Sequence, residues 1–189
     1  VNHPTHNILE TSSVTSIILV GPPASGKSTL RSLFSDYGVA GFDLEDFHTD
    51  GELDGEWKKE ITAGISSASD SDRDIVCIEG AVSEDEVAFI RKQSDGTLVI
   101  LVDVPEKSER IQRHVDRETA NVNTEIVSKQ SILDIQLESF QREYYESPYP
   151  EHDVTILNTD DTTTKQLSRR CGRIVSLLSG DDSITVPGE

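Results

Sequence analysis

The sequence predicts an α/β fold: a five-stranded parallel sheet with helices on both faces. Three observations lead there. Five short apolar runs, at 15–20, 39–42, 75–79, 97–102 and 153–157, alternate with stretches of helical periodicity, as strands joined by right-handed crossover helices do. The first run, Thr15-Ser-Ile-Ile-Leu-Val20, is aliphatic with little alternation, which suits a strand buried on both faces. Asp43, Glu79 and Asp103 each stand at the carboxyl end of a run, on the sheet edge beyond which ligands bind in such folds.

Taken in order, residues 1–13 are polar and unpatterned and read as a flexible arm ahead of one domain over 14–179. After the first strand, the periodicity of Leu30, Leu33 and Phe34 predicts a helix to about Tyr37, stopped at Gly38. Val39 to Phe42 is the second strand. Thr49 to Gly55, with two glycines and several acids, reads as a loop, and Glu56 opens a helix carrying Trp57, Ile61 and Ile65. Residues 66–74 read as a polar break before the third strand, Ile75 to Glu79, where Gly80 turns the chain. Ser83 and Glu86 are spaced as a capping box, so a helix follows to about Gln93. Asp95-Gly96 turns into the fourth strand, Thr97 to Val102.

Pro105 suits the opening of a helix over 106–116. Residues 118–124 lack apolar periodicity and read as a mobile loop. Ile126, Leu133, Leu137, Phe140 and Tyr144 then mark one face of a long helix stopped by Pro148. Asp153 to Leu157 is the fifth strand, Thr164 to about Leu178 the last helix, and 180–189 a flexible polar tail.

The most informative stretch is Gly21-Pro-Pro-Ala-Ser-Gly-Lys-Ser28, a full match to G-x-x-x-x-G-K-S between a strand and an amphipathic helix. Gly21 permits the sharp turn, and Gly26 a close approach of backbone to a ligand. The two prolines donate no N–H, so the anion-cradling amides come from Ala24, Ser25, Gly26, Lys27 and Ser28, with Thr29 opening the helix behind them. Lys27 would reach the β- and γ-phosphates of a nucleotide, and the Ser28 hydroxyl would face Mg²⁺.

Composition narrows the class. With 35 acidic against 17 basic residues in 189, the formal net charge is −18, which repels nucleic acid and anionic lipid and disfavours a nucleic-acid-binding module. Acid spread over nearly every loop favours adaptation to high salt over a merely solvated surface with tails, because screening removes its self-repulsion. No apolar stretch is long enough to span a bilayer, and the polar start lacks a signal peptide's pattern. A soluble cytoplasmic protein is expected. Cys77 and Cys171 show no metal-ligand spacing and read as free thiols.

Two further segments stand out. Val102-Asp-Val-Pro-Glu-Lys-Ser-Glu-Arg-Ile-Gln-Arg113 joins an apolar strand to an E-R-I turn, and Asp153-Val-Thr-Ile-Leu-Asn-Thr159 has the form D-x-x-I-x-N. With the glycine loop, they make the chain resemble the adenylate-kinase-related P-loop kinases. That group includes nucleoside monophosphate, shikimate, gluconate and dephospho-coenzyme A kinases. Ile78-Glu-Gly-Ala-Val-Ser83 with Glu86-Val87 is similar to the D-G-I-R-S … E-V segment of archaeal kinase-like members. The resemblance covers Thr15 to about Leu178 and implies strand order 2-3-1-4-5, ATP, Mg²⁺ and a lid at about 117–125. The chain departs from the group at Glu79 and Val82, which replace the aspartate and arginine of the D-G-x-R segment. It also has no cysteine set for a structural zinc in the lid.

On that resemblance, Asp43 polarises an acceptor hydroxyl or holds Mg²⁺ through water, and Glu79 orders the metal's waters. Arg113 and Arg117 close over the transferring phosphoryl group, Arg110 stacks near adenine, and Asn158 precedes a loop passing near the base. The competing reading of the arginines is ion pairing with neighbouring acids, such as Glu106 with Arg110; function is favoured for Arg113 and Arg117, less for Arg110, and His114 could replace Arg113. Glu45 and Asp46 are candidates for the acceptor pocket. The expected activity is transfer of the γ-phosphoryl of ATP to a nucleotide, nucleoside or small hydroxyl acceptor, with a nucleotide-binding switch or weak ATPase as the alternative.

Overall fold

The computed structural model describes residues 14–22, 24–49, 52–53, 56–68, 73–80, 83–106, 108–109, 112–113, 116 and 149–181. The elements are β1 (Thr15–Val20), α1 (Lys27–Ser35), β2 (Ala40–Asp43), a 3₁₀ turn (Leu44–Phe47), β3 (His48–Thr49), β4 (Glu52–Leu53), α2 (Trp57–Ala68), β5 (Ile75–Glu79), α3 (Glu84–Gln93), β6 (Gly96–Asp103), β7 (Val154–Leu157) and α4 (Thr164–Ser179).

The main sheet runs β2-β5-β1-β6-β7, all parallel. Counted along the chain, its strands therefore lie in the expected order 2-3-1-4-5. The central strand explains why its sequence does not alternate: Ile18 and Val20 enter one core with Trp57, Ile61 and Ile65 of α2 and Val87 and Ile90 of α3. Ile17 and Leu19 enter the other, with Leu30, Leu33 and Phe34 of α1 and Leu167, Cys171 and Val175 of α4. Each such aliphatic side chain contributes about 1.5–3 kcal/mol on burial, so β1 is fixed from both faces. Register then brings the carboxyl ends together, with Asp43 opposite Glu79 and Leu19 opposite Glu79 on the other side.

Two local expectations are corrected. The stretch read as a loop over 49–55 contains an antiparallel pair, His48 against Leu53 and Thr49 against Glu52. The helix expected to break at Ser66 continues to Ala68. Ser66 and Ser67 are exposed, whereas Ala68 is buried and extends the stripe of Trp57, Ile61, Gly64 and Ile65, so the inward face keeps its period. The capping box is present in both directions: Glu86 N–H donates to Ser83 Oγ at 3.3 Å, and Ser83 N–H to Glu86 Oε2 at 3.0 Å. Cys77 and Cys171 are free and buried. Burial pushes the Cys77 thiol well above its usual value and the Cys171 thiol up to about 12. No helix among the described residues is long and apolar enough to cross a membrane.

The arm 1–13, the lid expected at about 117–125, the long helix expected over 126–144 and the tail from 182 lie outside the described residues. In the helix expected over 106–116, Ser108, Glu109, Gln112, Arg113 and Asp116 are helical.

Candidate phosphate and acid site

The chain leaves β1 through backbone that few residues tolerate. Gly21 has φ +143°, and a Cβ there would lie 2.3 Å from the Val102 carbonyl oxygen. Ala24 has φ +57° without being glycine, a conformation that costs on the order of 1–2 kcal/mol. Ser25 N–H donates to the Pro22 carbonyl at 3.3 Å, closing the turn. Gly26, at φ +98°, is the N-cap of α1 and offers no side-chain cap. The first helical bond runs from Leu30 N–H to Gly26 O at 3.0 Å. The amides of Lys27, Ser28 and Thr29 precede it, where a helix has no acceptor of its own to offer and where an anion is favoured.

Lys27 Nζ donates to the carbonyls of Gly21 and Pro22, both at 3.0 Å, so the ammonium lies over the loop. Ser25 Oγ is buried and without a hydrogen-bond partner among the described residues. Gly26 is also closely approached from within the chain. A Cβ on residue 26 would lie 2.3 Å from Asn158 Nδ2, which donates to the Ser25 carbonyl at 2.8 Å. Asn158 N–H donates to Asp103 O at 2.8 Å, so this residue ties the loop after β7 to β6 and to the glycine loop after β1.

Beside the loop stands an acid pair. Glu79 is 2% exposed, and its carboxyl is raised from 4.5 to about 7 by burial first, then by the Asp43 charge and a hydrogen bond shared with Asp43. Arg31 and a hydrogen bond with Ser28 act the other way. Arg31 Nε lies 2.8 Å from Glu79 Oε1, an ion pair without hydrogen-bond alignment. Arg31 Nη2 lies 3.8 Å from Asp43 Oδ2. Reasoning from sequence missed Arg31, although its position four residues after Lys27 and three after Ser28 puts it on their helix face.

The arginine expected over the phosphoryl group is held elsewhere here. Arg113 donates from Nε and Nη2 to Asp160 Oδ1 at 3.1 and 2.6 Å and from Nη1 to the Asn158 carbonyl at 2.9 Å. It therefore clamps the loop that braces Ser25. Thr29 is exposed in the first turn of α1, and Asp46 is exposed on the 3₁₀ turn. Arg110, Arg117, His114 and Val82 lie outside the described residues, as does the side chain of Glu45.

Hydroxyl and carboxylate oxygens at Ser28, Glu79 and Asp43 form a hard donor set of the kind Mg²⁺ accepts. Among the described residues no group of three or more His, Cys, Asp or Glu could hold a metal unaided. Mg²⁺ in nucleotide sites commonly relies on one or two carboxylates plus the substrate's phosphates, so the residues fit that role.

No family model matches the sequence, and no curated protein does. Solved structures match the fold. A sugar kinase from Janibacter sp. HTCC2649 is similar at TM-score 0.51 and 16% identity, covering 94% of this chain and 99% of that one. A gluconokinase from Sinorhizobium meliloti 1021 is similar at TM-score 0.51 and 16% identity, covering 89% and 95%. The Mycobacterium tuberculosis APS kinase CysC, solved with AMPPNP and APS, is similar at 0.51 and 13%, covering 88% and 98%. The chain thus has the three-layer fold of the P-loop kinases.

Proposed function

We propose that this chain is an ATP-dependent phosphotransferase acting on a small hydroxyl-bearing or nucleotide acceptor. The observation that carries the reading is the pairing of a lysine-bearing anion loop with the Asp43–Glu79 acid pair across one sheet edge. An anion cradle alone would serve a binding protein; carboxylates beside it supply a base for an attacking hydroxyl. The kinase names of the fold neighbours agree with this reading.

In the proposed reaction the acceptor oxygen forms a bond to the γ-phosphorus as the bond to the β–γ bridging oxygen breaks. ADP leaves, and the acceptor proton passes to Asp43. The amides of Gly26 to Thr29 hold the phosphates, and Lys27 exchanges its loop carbonyls for phosphate oxygens as charge spreads over the transferring group. Ser28 and Glu79 would hold Mg²⁺, which supplies neutralisation of the β and γ oxygens. Asn158 fixes the Ser25 carbonyl, so the amide that follows keeps its direction. Arg110, Arg113 and Arg117 belong to the proposed lid at about 117–125 and its approach; for Arg113 this requires leaving both Asp160, a partly exposed pair, and the Asn158 carbonyl. A cytoplasmic location and adaptation to high salt are part of the same proposal.

The test is a screen of nucleotides, nucleosides and small alcohols with Mg²⁺-ATP at several KCl concentrations, reading phosphorylated acceptor. A phosphorylated product that disappears with Lys27→Ala supports the reading. Slow phosphate release with no acceptor phosphorylated, modulated by a partner, would favour a switch.

A further inference from the structure

Arg31 lies one turn beyond Lys27 on α1, and its stem runs along β2: a Cβ on Gly41 would come within 3.0 Å of Arg31 Cγ. That close approach sets the guanidinium against the two carboxylates, 2.8 Å from Glu79 and 3.8 Å from Asp43. Register fixes the carboxylates beside each other, and two such groups repel unless a charge stands between them or they share a proton. Arginine keeps its charge at every working pH and presents a planar fork able to face two acids at once. It is also the movable partner: its side chain is 31% exposed on a flexible stem, whereas that of Glu79 is 3% exposed on a strand.

We propose that Arg31 is a positioning residue of this site: its guanidinium is the resident counter-ion that holds Asp43 and Glu79 together, and it competes with a divalent cation for them. The proposal deepens the phosphotransfer reading, on which only its kinetic arm rests. Before a cation binds, the guanidinium fixes the carboxylates; when one binds, the guanidinium gives up part of its contact while still fixing the direction of Asp43.

The probe is Mn²⁺ alone, followed by electron paramagnetic resonance on the nucleotide-free full chain in high KCl, which screens the acidic surface. Arg31→Met keeps most of the stem and removes the charge. Mn²⁺ affinity is expected to rise about tenfold or more, as loss of a positive charge within a few ångströms of two carboxylates requires. The gain should vanish in the Arg31→Met, Glu79→Gln double variant. In turnover, kcat should fall with little change in KM for ATP, because the phosphate loop is untouched. Unchanged Mn²⁺ affinity in folded Arg31→Met, or a gain that survives Glu79→Gln, overturns the proposal.

If Arg31→Met does not fold, Arg31→Lys decides. It keeps the charge and loses the fork, so near wild-type Mn²⁺ affinity with reduced kcat supports the proposal, and wild-type kcat overturns it. A wild type that transfers no phosphoryl group yet shows the Mn²⁺ pattern overturns the phosphotransfer reading alone. Phosphoryl transfer without any Mn²⁺ effect overturns the role of Arg31 alone.

Discussion

Asn158 donates from Nδ2 to the Ser25 carbonyl at 2.8 Å, its carboxamide filling the space that a Cβ on residue 26 would need. The two residues are 133 positions apart, so the glycine loop after β1 is shaped partly by the far end of the sheet. Gly26→Ala should therefore weaken ATP binding at least tenfold, since a side chain at φ +98° is strained and meets Asn158. Asn158→Ala should remove about 1–2 kcal/mol of stability by leaving a buried carbonyl unpaired. It should also restore part of the loss in the Gly26→Ala background, as titration calorimetry on the two single variants and the double variant would show.

Lys27→Ala should nearly abolish ATP-dependent turnover, a loss of several kcal/mol of transition-state stabilisation in a phosphoryl-transfer site. The circular-dichroism spectrum should not change, because Lys27 belongs to neither buried core of the sheet. Turnover close to wild type would refute the assignment of this loop.

Asp43→Asn keeps the shape of the side chain and removes a base. Acceptor phosphorylation should fall roughly 10²–10⁴-fold with ATP affinity largely retained. In a switch that has no acceptor, phosphate release would change little. Unchanged phosphorylation would take Asp43 out of the catalytic set and leave Glu79 to be tested next.

The Glu79 carboxyl gives a pH dependence whose sign is opposite to that of an ordinary paired acid. Its folded value, about 7, lies above its ordinary 4.5, so between those values the folded chain holds a proton that the unfolded chain has lost. Stability from this group is fully present below about pH 4.5 and is lost as pH rises through 7, by an amount on the order of a few kcal/mol. Urea midpoints of Glu79→Gln measured across this window in the absence of Mg²⁺ should fall less steeply with pH than those of the wild type. Parallel slopes would contradict the raised value.

The net charge of −18 sets a salt dependence. Like charges separated by more than a few ångströms are screened in molar salt, so the thermal midpoint should rise between dilute buffer and multimolar KCl. A second series in a neutral osmolyte separates screening from the effect of salt on apolar burial. A midpoint that is flat or falls in KCl counts against adaptation to high salt.

The sequence by itself determined the alternation of strands and helices, the Ser83–Glu86 capping box, the G-x-x-x-x-G-K-S loop between strand and helix, and the placing of three acids at strand ends. Those features depend on periodicity, backbone freedom and side-chain spacing over a few residues, all of which a linear pattern records. Resemblance supplied the strand order, which composition and spacing leave open. Tertiary structure alone decided that Asp43 faces Glu79, that Arg31 lies against both, that Asn158 fills the space beside Gly26, and that Arg113 is held by Asp160. It also decided that α2 continues to Ala68, because only the packed face shows which small residue is buried. Such pairings join residues distant in the chain through strand order and register. In a sheet, a slip of one residue would turn every side chain to the opposite face, so local spacing, which put Arg31 on the helix face of Lys27 and Ser28, could not have named its partners.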